Sequence, residues 1–242
     1  MKTKAVRLYG ELDMRVEEFE LPEIQENEIL MRVITDSLCA STYKAVKQGV
    51  NHKRVPSDIA ENPVIIGHEL CGEIVKVGAA LKNDWKEGQK AVVQPALKTP
   101  DGHDPGYSFR WIGGASTYIV VPPIVLEKGC LVPYEGDNFF SGSLVESLGC
   151  VLRGYKGFYH TDYTNYVRTD GAKKGGKLAI LGGAGPMGIG CVELATGYAG
   201  VSQVVVTDLN PQRLQRAEKI FDPAEAKKDG ITPSFLLQAG NM

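Results

Sequence analysis

Cysteine is scarce in this chain: five among 242 residues, at positions 39, 71, 130, 150 and 191. An odd, scattered set in a chain long enough to bury its own core excludes a disulfide framework. An excess of charge of either sign is lacking too. With 27 basic and 29 acidic residues the net charge is −2, so the composition points neither to nucleic acid nor to an anionic membrane surface. No apolar run approaches the ~20 residues of a membrane span. Met1 to Lys4 leads into a strand-like run rather than a signal peptide, and the expected compartment is cytoplasmic. There is no internal repeat and no low-complexity tract, and the length fits one or two domains.

What is present is concentrated between Lys177 and Asp208. Lys177 to Leu181 is short and apolar, and Gly183-Ala184-Gly185-Pro186-Met187-Gly188 follows as G-x-G-x-x-G. Ile189 to Tyr198 suits a helix, Val204 to Val206 resumes as a strand, and Asp208 lies twenty residues past Gly188. Strand, glycine turn, helix and distal acid form one half of a dinucleotide site. Gly183 would permit the tight turn, Gly185 the approach of a pyrophosphate to the backbone, and Gly188 close packing of helix on strand. Pro186 and Met187 complete the turn, and Asp208 would accept from the ribose hydroxyls. Asn210-Pro211 caps and opens one further helix, Gln212 to Phe221. A complete doubly wound sheet needs about six strands, and this reading finds roughly two, so the nucleotide domain is expected to be incomplete and the chain truncated.

Upstream, residues 3 to 9, 13 to 19, 28 to 36, 72 to 77, 90 to 94 and 116 to 121 are short Val/Ile/Leu-containing runs parted by Gly, Pro, Asn and Asp. That spacing predicts a β-rich first domain, barrel or sandwich. Ser41 or Thr42 would cap a short helix ending at Gly49. The stretch from Pro95 to Gly114 reads as a long irregular loop, of the kind that is functional or mobile. From Phe139 to Phe158, Leu144, Val145, Leu148, Val151, Leu152 and Tyr155 recur at helical spacing, suggesting helices that join two domains, 1–170 and 171–242.

Cys39 ends an extended run, and Gly67-His68-Glu69 follows 29 residues later. Thiolate, imidazole and carboxylate suit Zn²⁺, whose catalytic sites use three protein ligands and keep one position open. His68 and Glu69 are adjacent, so in a regular strand they would face opposite ways. Both can ligate only where the backbone is irregular. Cys39 alone could equally be a buried apolar cysteine, and His68 a satisfied core histidine.

Taken together, Cys39-Ala40-Ser41, Gly67-His68-Glu69 with Gly72-Glu73-Ile74-Val75, Gly113-Gly114-Ala115 leading to Tyr118 and Pro122, and the cofactor turn resemble the zinc-containing medium-chain alcohol and polyol dehydrogenases. The likeness runs from Lys2 to about Phe221. It implies a GroES-like β-barrel catalytic domain followed by a Rossmann domain, with zinc in the cleft between them. It further implies that Cys39 and His68 ligate zinc, that Glu69 binds or releases it, and that Glu146, as in the polyol dehydrogenases, touches zinc or its water. Ser41 resembles the hydroxyl that meets the substrate alkoxide. Two departures stand out. The proton-relay histidine is Lys44 here, and the four cysteines of a structural zinc are missing between Gln94 and Trp111, so one catalytic zinc and no structural zinc are expected. Asp101, His103 and Asp104 in that region read as solvated loop charges.

The function implied is hydride exchange between NAD(H) and a polyol or ketose, with zinc as Lewis acid and no nucleic-acid or membrane partner. Asp208 favours NAD over NADP, because a 2′-phosphate would meet a like charge, and Arg213 nearby softens that preference. His52-Lys53-Arg54, with Lys44, gathers cations where a phosphate could sit. The resemblance to the branch of L-sorbose-1-phosphate reductases fits a phosphorylated substrate held by Lys53 or Arg54. Two other readings share the fold: a zinc-free quinone reductase-like member, and an inactive truncation or binding module. A homo-oligomer is an expectation only for a full-length chain, because the family's usual contacts come largely from nucleotide-domain strands not found here.

Overall fold

The structure is a computed structural model that describes residues 1–221 and the backbone of a strand at 232–237; residues 222–231 and 238–242 lie outside the described residues. The chain divides into two compact units, Met1–Glu146 and Ser147–Met242. The division falls earlier than 170. The reason is visible in the packing, because Val151 and Tyr155 join Val192, Val204 and Leu214 in the core of the second unit.

In the first unit, β1 (Lys2–Gly10), β2 (Asp13–Glu20), β3 (Ile29–Asp36), β4 (Val64–Ile65), β5 (Leu70–Val77), β6 (Lys90–Val93), β7 (Tyr118–Val121) and β8 (Leu131–Pro133) form two sheets. Their orders are β2-β1-β4 and β7-β3-β5-β6-β8. All pairs are antiparallel, and a bridge between Ala5 and Ser116 links the sheets without closing either on itself. The β-rich domain with its six anticipated runs is therefore present, and β4 and β8 are additional. Ile29, Met31, Ile74 and Ile119, each fully buried, fill the core of the larger sheet. Each such side chain contributes on the order of 1.5–3 kcal/mol on burial.

Helix α1 (Ala40–Gln48) follows β3 and ends at Gly49, whose φ is 50°. Its N-cap is Cys39, with no side-chain cap, so Ser41 and Thr42 are helical residues and not the cap expected of them. Their positions have another use. One helical turn before the buried Ala45 and Val46, they share the inward face of α1. Among the described residues of the first unit, α2 (Pro123–Glu127) and α3 (Phe139–Gly142) are the remaining α-helices wholly within it.

Helix α4 (Val145–Gly157) leads into a hairpin of β9 (Tyr159–Thr161) and β10 (Arg168–Asp170) that the sequence reading did not anticipate. Then come β11 (Lys177–Leu181), α5 (Pro186–Gly197), β12 (Gln203–Asp208) and α6 (Pro211–Ile220). β11 and β12 pair in parallel, as a helical crossover requires. A third strand, β13 (Thr232–Leu237), adds in parallel to β12, which corrects the expectation of about two strands. Asn210 caps α6 as expected, its side chain accepting from the amides of Gln212 and Arg213.

Candidate metal centre and nucleotide turn

The question left by the adjacent His68 and Glu69 is answered by the link between β4 and β5. Strand geometry stops at Ile65 and resumes at Leu70, and Gly67 takes φ 92°, a left-handed conformation that suits glycine. Asp36 supports this turn from behind. A register shift between Val33 and Thr35 precedes it in β3, the kind of irregularity that re-aims a side chain. Its Oδ1 accepts from the Glu69 amide at 3.1 Å. Burial pushes the Asp36 carboxyl up to about 7.

The result is that one ligand atom each from Cys39, His68 and Glu69 lie within 4.8 Å of one another, with His68 and Glu69 buried. Among the described residues these form the one such cluster of His, Cys and acidic side chains. A thiol, an imidazole and a carboxylate are the donor types that Zn²⁺ takes, and three of them leave a fourth position open. The imidazole and the carboxylate are each held from outside. Thr42 Oγ1 lies 3.1 Å from His68 Nδ1 and can accept its proton, which leaves Nε2 as the lone-pair atom. Burial, reinforced by the charge of Arg54, pushes His68 down to about 4, so the imidazole is neutral over the physiological range and able to ligate. Ser37 donates to Glu69 Oε2, and the Ser37 amide donates to the Glu69 carbonyl at 3.1 Å.

Ser41 Oγ faces the cluster, 2.9 Å from Cys39 Sγ and 3.2 Å from His68 Nε2. Tyr107 stands over the same atoms. Its hydroxyl is 2.8 Å from Ser41 Oγ and 3.2 Å from His68 Nε2, and the residue is only 2% exposed. Gly106 makes this approach feasible, since a Cβ there would lie 2.1 Å from the Gly67 carbonyl oxygen. Burial raises the Tyr107 phenol to about 12, so it remains a proton donor.

The segment from Pro95 to Gly114 is thus packed, with Leu97, Tyr107 and Ile112 each at most 2% exposed. Asp104 is the latch, and its reading as a solvated charge is corrected. It is buried, forms an ion pair with Arg54 at 2.6 Å between Nε and Oδ2, and accepts from the Leu97 amide at 3.0 Å. The exposed Asp101 and the half-buried His103 keep the solvated reading, 3.1 Å apart. Arg54 also stacks its guanidinium 5.1 Å over the Tyr107 ring, while His52 lies parallel to that ring at 5.8 Å between centroids. Lys53, Arg54, Ala96, Lys98, Gly102 and Asp104 line a cavity of about 240 Å³. Lys44 is exposed on α1, and its charge is felt at His52. Glu146 is not one of the three clustered ligands, although its charge reaches Tyr107.

In the second unit Gly185 is the N-cap of α5, with no side chain capping the helix, and Pro186 and Met187 open its first turn. The amide dipoles of such a helix start favour an anion. A Cβ on Gly185 would meet nothing within 4 Å, whereas one on Gly188 would lie 2.0 Å from the Gly183 carbonyl oxygen. Gly185 therefore leaves open space, and Gly188 secures close packing. The left-handed residue of the turn is Gly182, at φ 65°, rather than Gly183, which is confined by Ile180 and Val206. Asp208, at the end of β12, accepts from the Ala184 amide at 3.1 Å and from the Asn210 amide at 2.9 Å. The Asn210 bond, with the Ala184 amide and the Arg213 charge, holds its carboxyl below the usual carboxylate range.

Residues 25–129 match the alcohol dehydrogenase GroES-like domain. Over 98% of the chain, it is 30% identical to (R,R)-butanediol dehydrogenase of Bacillus subtilis, covering 67% of that protein. The chain belongs to the alcohol and polyol dehydrogenase family. A solved structure of the Bacillus subtilis 2R,3R-butanediol dehydrogenase superposes with a TM-score of 0.73 at 25% identity, over 97% of this chain and 63% of that one. Higher identity is found to L-sorbose 1-phosphate reductase of Klebsiella pneumoniae, 47% over 92% of this chain and 55% of that protein. Mannitol-1-phosphate 5-dehydrogenase of Aliivibrio fischeri is 43% identical over 95% of this chain and 55% of its own length. The chain thus spans little more than half the length of these sugar-phosphate relatives.

Within this family member, Asp36, Thr42 and Tyr107 are the site residues that sequence reasoning missed. Thr42 had a signal: it lies one residue from Ser41 and one turn from Val46. Tyr107 had none, because nothing local in an irregular segment says where its hydroxyl ends.

Proposed function

We propose that the complete protein containing this chain is a zinc- and NAD-dependent dehydrogenase that interconverts a ketose phosphate and a hexitol phosphate. The observation that carries this reading is the convergence of Cys39, His68 and Glu69 with the Ser41 hydroxyl against them. These three side chains would hold the metal, and Glu146 would meet it or its water. When bound, zinc supplies Lewis-acid polarisation of a substrate oxygen, and the nicotinamide accepts or gives the hydride.

The chain's own residues then bind and orient. Ser41 holds a proton beside the reacting oxygen, Thr42 fixes the His68 ring, and the packed Pro95–Gly114 segment excludes water from one side. The turn at Gly183, Gly185 and Gly188 takes the pyrophosphate, with Met187 at the helix start, and Asp208 takes the ribose. An ionised Asp208 disfavours a 2′-phosphate and so supports NAD, while Arg213 moderates the preference.

The substrate's phosphate is assigned to the cavity of Lys53, Arg54 and Lys98. Three cations face one carboxylate there, and that carboxylate, Asp104, is already committed to Arg54 Nε and the Leu97 amide. Lys44 adds a more remote positive charge rather than a relay. Identity to two sugar-phosphate enzymes supports the same substrate class. The test is sorbitol against sorbitol 6-phosphate on the complete protein. The phosphorylated substrate should be used more efficiently, and Lys53→Ala should lower kcat/KM for it alone, by roughly ten- to hundred-fold for one charge-assisted contact. Equal efficiency on the two substrates would remove the phosphate assignment and leave the dehydrogenase reading standing.

A further inference from the structure

The hydroxyls of Ser41 and Tyr107 can be accounted for proton by proton. Two O–H groups 2.8 Å apart can make one hydrogen bond between them, which uses one of their two protons. The second proton has an acceptor in His68 Nε2, 3.2 Å from both oxygens. That lone pair is the one a metal on the Cys39–His68–Glu69 cluster would take. The displaced proton then has two neighbours left: Cys39 Sγ, 2.9 Å from Ser41 Oγ, and whatever oxygen enters the open position. Sulfur is the weaker acceptor of the two.

Which hydroxyl keeps the free proton is decided by position. Tyr107 packs its ring against His52, His68 and Arg54, in a segment latched by Asp104, so the residue is held in place and only 2% exposed. Ser41 touches the thiol as well as the imidazole, and a serine hydroxyl rotates freely. We infer that Tyr107 is a positioning residue: it donates to Ser41 Oγ and thereby turns the Ser41 proton outward, toward an oxygen arriving at the metal cluster. Preorganised donors of this kind act where charge develops on that oxygen. Nothing in the G-H-E or glycine-turn motifs specifies a tyrosine here. The inference rests on the metal assignment made above, and not on the identity of the sugar.

The test uses the cobalt-loaded chain, its visible spectrum, and two probes of different chemistry. Trifluoroethanol offers an oxygen that can accept the Ser41 proton, whereas imidazole offers none. Tyr107→Phe keeps the ring and its packing and removes only the hydroxyl. In this variant cobalt uptake and imidazole affinity should be unchanged, while trifluoroethanol affinity falls roughly ten-fold, the loss expected for one hydrogen bond to a charged acceptor. Ser41→Ala should show the same fall, and Tyr107→Phe in the Ser41→Ala background should add nothing further. An additive loss in the double variant, or a parallel loss of imidazole affinity, would overturn the inference by making Tyr107 an independent or merely structural contact. A wild-type chain that takes up no cobalt would overturn it as well. A cobalt-binding chain with the expected cycle but no turnover of hexitol phosphate in the complete protein would instead fault the proposed function alone.

Discussion

Replacing Cys39 with Ser should strip the protein of zinc while leaving both compact units folded. The sulfur is at the N-cap of α1 and makes no cap hydrogen bond, so α1 does not depend on it. On the proposed assignment the metal depends on it, because the remaining His68 and Glu69 give two ligands where a catalytic zinc needs three. Metal content measured after dialysis should fall from about one zinc per chain to background, a loss of at least about a hundred-fold in affinity. Far-ultraviolet circular dichroism should be preserved. Stoichiometric zinc in the Cys39→Ser variant would refute the ligand assignment, since only an unrelated site could then hold the ion.

An effect of similar size is expected at the other functional element. Gly185→Val places a branched side chain where a Cβ meets nothing in the protein, so the second unit should fold with its stability nearly intact. The same side chain would occupy the space through which a pyrophosphate must approach the backbone at the start of α5. NADH affinity, read by fluorescence titration, should fall by about two orders of magnitude or more, on the view that several phosphate contacts are lost together. Gly188→Val is the contrasting case. Its Cβ would lie 2.0 Å from the Gly183 carbonyl oxygen, and that variant should lose the fold of the turn itself. Unchanged NADH binding in a folded Gly185→Val protein would mean that the turn is purely structural.

The elements legible in the sequence were those whose residues carry their own periodic or stereochemical signal. The strands of the first unit announced themselves through Val/Ile/Leu runs between Gly, Pro, Asn and Asp, and Asn210-Pro211 marked the start of α6 within a residue. The glycine turn was legible because a tight turn from strand to helix tolerates few residues, although the left-handed position proved to be Gly182. Distance in sequence hid the rest. Asp36 reaches the Glu69 amide across 33 residues, and Tyr107 reaches Ser41 across 66. No local pattern encodes such pairings, because they are set by how the β3–β5 register and the Pro95–Gly114 segment fold back on one another. Ser41 and Thr42 show the converse error: hydroxyls that suit an N-cap by type were already inside α1, with their oxygens within hydrogen-bond distance of the His68 ring. The strand β13 was missed because a six-residue run containing Pro233 gives little to separate it from a loop.

The central claim is that Cys39, His68 and Glu69 form one metal site, and X-ray absorption at the zinc edge of the wild-type chain tests it most directly. The spectrum should show one sulfur scatterer at about 2.3 Å with nitrogen or oxygen neighbours at about 2.0–2.1 Å, the shell expected of one thiolate, one imidazole and oxygen ligands. A shell with no sulfur, or one with several sulfurs, would contradict the site described above.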